Sequence, residues 1–98
     1  MYGTVMIGTM ATGASLDDYD LAAKEWLERR ADGFVDEQVM LGDDGKTVVM
    51  VVRFRDKAAY LALADSPEQD EWWTTTLKPL LAGDPQWYDG EWVRSYTA

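Results

Sequence analysis

Residues 34–55 read FVDEQVMLGDDGKTVVMVVRFR, two apolar runs flanking an Asp44-Gly45 pair. Asp-Gly between such runs is a strong hairpin signal, because glycine reaches positive φ without steric cost and Asp tolerates it. The spacing predicts antiparallel strands over 34–42 and 46–55. With two central turn residues, Asp43 lies opposite Lys46, Asp36 opposite Arg53 and Val39 opposite Met50. One face then carries Val35, Glu37, Val39, Leu41, Val48, Met50, Val52 and Phe54. The other carries Phe34, Asp36, Gln38, Met40, Val49, Val51, Arg53 and Arg55. A sheet with one wet face alternates apolar and polar residues, yet Val48–Val52 is an unbroken apolar run. Both faces therefore need a cover.

Upstream, Gly3–Met10 suits a first strand, and Thr12-Gly13-Ala14 turns the chain. From Leu16, the positions Leu16, Tyr19, Ala23, Trp26 and Leu27 recur at helical spacing, with Asp17, Asp20, Lys24 and Glu28 on the other side. Ser15 with Asp18 forms a capping-box pattern, Arg29 and Arg30 fall near the last turn, and Gly33 supplies the stop. Downstream, Asp56 caps a second helix carrying Tyr60, Leu61 and Ala64. Ser66-Pro67 breaks it and restarts a piece, PEQDEWWTTTLKPLL, in which Gln69 completes a second capping box and Pro79 ends or kinks the helix. The stretch QWYDGEWVRSY alternates well enough for a last strand, with Gly90 as a candidate bulge.

The order strand, helix, strand, strand, helix, strand predicts one ferredoxin-like α+β domain over 1–98, with a four-stranded antiparallel sheet. A single helical layer covers one sheet face. The other is expected to meet the same face of a second copy, making a homodimer.

The chain has 98 residues, 47% of them hydrophobic, with 18 acidic residues against 9 basic ones. A net charge of -9 repels phosphate backbones and anionic headgroups, so nucleic acid and membrane are excluded as expected partners. The apolar runs near the N-terminus are far too short for a span of about 20 residues. Cysteine, histidine and asparagine are all absent. That removes disulfides, thiolate metal sites and every Ser/His or Cys/His nucleophile. Asp43-Asp44 lacks the further ligands of a calcium loop, so it forms a turn and no metal is expected. Cytoplasm is the default compartment.

The element order, together with FRDKAAYLALADSPEQDEWW (54–73), LKPLL (77–81) and QWYDGEW (86–92), resembles the antibiotic biosynthesis monooxygenase group of the dimeric α+β barrel superfamily. The resemblance implies two sheets packed face to face in a dimer, with a ligand cavity between each sheet and its own helices. It also implies oxygenation of reduced, phenol-like aromatics without a cofactor. The haem-degrading branch, whose working residues are Asn, Trp and His, matches only at Trp72 or Trp73. The quinone-forming branch uses Asn, Trp, Tyr and Arg, of which Asn is missing here.

Several side chains are candidates for such a cavity. Trp72 and Trp73 differ by about 100° around a helix axis, so one faces the core and the other a cavity or partner. Tyr60 could donate a hydrogen bond to a substrate oxygen. Tyr88 and Trp92 share parity on the final strand and could floor a pocket or meet a dimer partner. Arg53 could hold a phenolate, although pairing with Asp36 is the plainer role. Glu37 is the lone charge on the apolar face; if enclosed, its pKa rises and it becomes a general base. The expected enzyme is a cofactor-independent oxygenase with Glu37 and Arg53 as catalytic groups and Tyr60, Trp72, Trp73, Tyr88 and Trp92 around a small aromatic or polyketide-like ligand. The alternative is a non-catalytic homodimeric ligand-binding or assembly module using the same aromatics for packing.

Overall fold

In the computed structural model, which describes Met1–Ala98, the chain runs β1 (Tyr2–Thr9), α1 (Leu16–Glu28), β2 (Phe34–Leu41), β3 (Thr47–Phe54), α2 (Lys57–Ala64), α3 (Pro67–Trp72) and β4 (Gln86–Glu91). A π-helical turn over Trp73–Leu77 and a 3-10 turn over Lys78–Leu80 extend α3. The sheet order is β2-β3-β1-β4, with every neighbouring pair antiparallel. This is the ferredoxin-like α+β arrangement predicted above.

The β2–β3 register is the expected one, with Asp36 opposite Arg53 and Val39 opposite Met50. The turn itself is wider than two residues. Gly42 N–H donates to the Thr47 carbonyl (2.7 Å) and Gly45 N–H to the Gly42 carbonyl (2.9 Å), so four residues make the loop. Gly45 takes φ 71° at its exit. The Asp44 carboxylate accepts from Lys46 N–H, Thr47 N–H and the Thr47 hydroxyl, which fixes the turn and holds its pKa down at about 2.

At the other end of β2 the pairing slips, with Phe34 opposite Phe54 and Val35 bulged out. The bulge corrects two face assignments. Phe34 turns to the helix side, where its ring meets Trp26 at 4.8 Å and Phe54 at 5.9 Å, whereas Val35 is exposed.

Residues 48, 50, 52 and 54 of β3 are buried beneath the helices, and 49, 51 and 53 are half-buried on the opposite face. In α1 the stripe actually buried is Tyr19, Ala22 and Trp26; Leu16 and Leu27 stay exposed. Ser15 makes the full capping box with Asp18. The helix ends before the two arginines, and Arg30 rather than a glycine takes the first positive φ. Gly33 (φ 78°) serves another purpose: a Cβ there would lie 2.5 Å from that of Ala59, so only glycine lets α2 close on the entry to β2.

The Ser66-Pro67 break falls where expected, with Ser66 Oγ accepting from Gln69 N–H at 3.1 Å. The second half of that capping box does not form, because the Gln69 side chain is engaged elsewhere. After Trp73 the helix widens. Thr75 Oγ1 donates to the Glu71 carbonyl (2.7 Å), competing with the backbone ladder, and Pro79 supplies no N–H to the following turn. Gly90 pairs directly with Gly3 and makes no bulge, and β4 ends at Glu91, well short of the predicted end. No helix is long and apolar enough to cross a membrane.

Candidate functional site

β2 brings Glu37 opposite Val52 on the helix-facing side of the sheet. There it borders a cavity of about 280 Å³ between the sheet and the helices. Met50, Val52 and Phe54 of β3 and Thr4 of β1 form its floor; Tyr60, Gln69, Trp72, Trp73 and Leu77 form the roof, and Trp87 of β4 closes one side. Most of this lining is apolar, and none of it is cationic.

The Glu37 carboxyl has neither an ion pair nor a hydrogen bond to offset its burial, and burial alone lifts its pKa to about 7. It therefore changes charge near neutral pH. Asp70 also borders the cavity, but it is exposed at the mouth.

Tyr60 reaches the cavity from α2, and its hydroxyl donates to Asp89 at 3.1 Å. Burial and the Asp89 charge push its pKa up to about 12, so it is a hydrogen-bond donor and a poor acid. Trp72 is 7% exposed, and its indole N–H donates to the Ala22 carbonyl (3.1 Å), which makes it the anchor of α3 against α1. Trp73 is half-buried and meets Trp87 edge-on at 5.0 Å. The two neighbouring tryptophans thus divide as their angular offset requires, though both border the cavity.

Three other candidate side chains lie elsewhere. Tyr88 and Trp92 do share a side, but β4 is paired with Met6 opposite Trp87 and Thr4 opposite Asp89. Odd positions of β4 therefore face the helices, and Tyr88 is 58% exposed on the uncovered face. Trp92 lies on that same face beside Met1, Asp36 and Arg53. Arg53 is likewise on the open side, where it forks onto Asp36 through Nε–Oδ1 (2.8 Å) and Nη2–Oδ2 (2.5 Å). The Arg53 hydrogen bond holds the Asp36 pKa below its ordinary value. Arg53 and Glu37 thus sit on opposite faces of the sheet and do not act on one ligand.

Trp87 and Gln69 are lining residues that sequence reasoning missed. The parity of β4 relative to β1 is set by pairing, which no local pattern reveals. Gln69 looked like a capping residue, but its Oε1 accepts from the Trp26 indole N–H at 2.6 Å. Indole N–H only donates, so the carboxamide orientation is fixed and its NH2 group remains free to donate.

The arrangement can take a small aromatic ring against an apolar, aromatic wall and offer it one carboxylate as proton acceptor and one carboxamide as donor. No group of three acidic side chains is placed to hold a metal ion.

No family model matches the chain, and no curated protein matches its sequence. Solved structures do match in fold. A monooxygenase from the gene ActVA-Orf6 of Streptomyces coelicolor, in complex with Nanaomycin D, superposes with a TM-score of 0.74 at 17% identity, covering 99% of this chain and 91% of that one. SnoaB, a cofactor-independent oxygenase from Streptomyces nogalater, gives 0.66 at 13% identity over 94% and 93%. At3g17210 from Arabidopsis thaliana gives 0.75 at 15% identity over 99% and 100%. The fold is thus the one found among antibiotic biosynthesis monooxygenase-like proteins, as the resemblance in the sequence implies.

Proposed function

We propose that this chain is a cofactor-independent oxygenase for a small aromatic or polyketide-like compound, with Glu37 as the general base and a homodimer as the working form. The observation that carries the reading is the unpaired Glu37 carboxyl, with a pKa of about 7, in an otherwise apolar, aromatic-walled cavity. A base poised near the operating pH is what proton abstraction from a weakly acidic C–H or O–H requires. The oxygenases that share the fold are the second support.

In this mechanism the substrate is a reduced ring system with an activated methylene beside a phenol or ketone. Glu37 takes a proton from it. The resulting carbanion, delocalised into the ring, reduces dioxygen and then bonds to it. One oxygen becomes the new carbonyl and the other leaves as water, with all four electrons supplied by the methylene carbon. The protein orients the ring among Trp72, Trp73, Trp87 and Tyr60 and excludes bulk water. Gln69 is placed to donate to the oxygen on which negative charge develops. At about 280 Å³ the cavity is near the lower end for ligand pockets, which favours a compact substrate.

The test is oxygen uptake with anthrone-like substrates. Uptake by the wild-type protein should fall by roughly 100-fold or more in Glu37→Gln. Its kcat/KM should rise with pH through about 7, as Glu37 loses its proton. Binding without any uptake across the panel would leave a non-catalytic ligand-binding protein.

A further inference from the structure

Gln69 carries the only carboxamide of the cavity lining, and half of it is already committed. The Trp26 indole N–H donates to its Oε1 at 2.6 Å, and Trp26 is 5% exposed, packed between Phe34 and Trp72. An indole nitrogen has no acceptor form, so the bond admits the carboxamide in one orientation only. Turning it over would set two N–H groups against each other and leave the buried indole unpaired. The Gln69 Nε2 group makes no hydrogen bond within the chain. Nor is it enclosed, since the one buried side-chain polar atom without a partner is the Tyr19 hydroxyl of α1. The carboxamide is therefore held as a donor, with its nitrogen left for a ligand.

The other polar groups of the cavity leave the same demand unmet. The Tyr60 hydroxyl is given to Asp89, the Thr4 hydroxyl to the Tyr88 carbonyl (3.4 Å) and the Trp72 indole to the Ala22 carbonyl. The Trp73 and Trp87 indoles, which also border the cavity, can only donate. A ligand thus needs an acceptor atom. Charge narrows the choice: Glu37 and Asp70 border the cavity, and no lysine or arginine does. A carboxylate would enter an apolar site beside two carboxyls, with no cation to offset its lost hydration. The chain's net charge of -9 opposes its approach as well. An uncharged carbonyl oxygen meets neither penalty.

We propose that Gln69 is the specificity-determining residue of the cavity and Trp26 its positioning residue. Together they present a fixed N–H donor that selects an uncharged carbonyl compound, a ketone or amide on a compact ring system, over the matching hydrocarbon and the matching acid. A site built to hydrogen-bond one ligand atom discriminates against the analogue that lacks it, because its own polar group is then left unpaired. The proposal rests on this cavity being the ligand site, as in the function proposed above, but not on oxygenation.

The experiment measures dissociation constants by NMR titration of the full chain with two matched pairs, 1-tetralone with tetralin and 1-naphthamide with 1-naphthoate. The ratio within each pair cancels changes in packing that affect both members alike. Gln69→Glu keeps an oxygen for the Trp26 N–H but puts an acceptor where the free donor stood, and should lower the preference for 1-tetralone over tetralin by about tenfold. Trp26→Phe frees the carboxamide to turn and should lower it by about threefold. The parent should bind 1-naphthamide about tenfold or more tighter than 1-naphthoate. A tetralone-to-tetralin ratio unchanged in Gln69→Glu would overturn the role of Gln69, and one unchanged in Trp26→Phe would overturn that of Trp26. Equal binding of the amide and the acid would overturn the charge selection, and no binding of any probe would remove the cavity as a ligand site. The readings fail separately: the expected ratios without oxygen uptake sink the oxygenase alone, and uptake with unchanged ratios sinks the selection alone.

Discussion

Glu37 is a carboxyl group whose environment opposes its charge, and that has a thermodynamic signature apart from any chemistry. Its ordinary pKa is 4.5 and its folded value about 7. Between those values the folded protein holds a proton that the unfolded chain releases, so this group's stabilising contribution is present at low pH and declines as pH rises from about 4.5 to 7. Because Glu37 is only half-buried, the loss should be about 1–2 kcal/mol, below what the full shift would give. Urea unfolding at pH 5 and pH 8 measures it, and Glu37→Gln should flatten the difference. Asp36, Asp44 and Asp56 are shifted in the opposite sense, so their contributions are lost only as pH falls below the ordinary carboxylate range and lie outside this window.

At the scale of elements, the site depends on two junctions. The first is Gly33, where α2 closes on the start of β2. Gly33→Ala combines positive φ with a methyl 2.5 Å from Ala59 Cβ, and thermal unfolding should show a destabilisation of about 1–3 kcal/mol. The second is the Trp26–Gln69 hydrogen bond, which ties α1 to α3 across the cavity roof. Gln69→Leu leaves a buried indole N–H unpaired and should cost about 1–3 kcal/mol. Adding Trp26→Phe should recover part of that loss, and a double-mutant cycle reads the coupling. The Ser66-Pro67 break belongs to this scale too: it bends the chain between α2 and α3 so that Tyr60 and Trp73 reach the same cavity from separate helices.

Across the whole molecule, the helices cover one sheet face and leave the other open. Val5, Ile7, Val49 and Val51 lie half-buried there, and Met40 and Tyr88 stand 59% and 58% exposed. A second copy placed face to face would bury that surface, and the Asp36–Arg53 pair would lie at its margin with its hydrogen bonds already made. Light scattering on a size-exclusion column should give about twice the 11.1 kDa chain mass at low micromolar concentration. Val51→Asp puts an unpaired charge in the middle of that face and should yield monomers, with the pH profile of the Glu37 cavity retained.

Much of the architecture was legible along the chain. The Asp44-Gly45 turn, the unbroken Val48–Val52 run and the caps at Ser15, Asp56 and Ser66 are local signals, and local geometry obeys them. The same signals placed Glu37 on the helix-facing side, since an alternating strand needs only its register for that. Parity across non-neighbouring segments could not be read in this way. Whether Trp87 or Tyr88 enters the cavity depends on how β4 pairs with β1, eighty residues away in sequence, and a one-residue slip would exchange them. The bulge at Val35 likewise swaps Phe34 for Val35 in the core, because aromatic packing with Trp26 and Phe54 outweighs regular pairing at that end. Sequence by itself determined the elements, their order and the carboxylate in an apolar face. Only the tertiary structure decided which aromatics surround it and that Arg53 is out of its reach, since each depends on contacts between segments that carry no mark of one another.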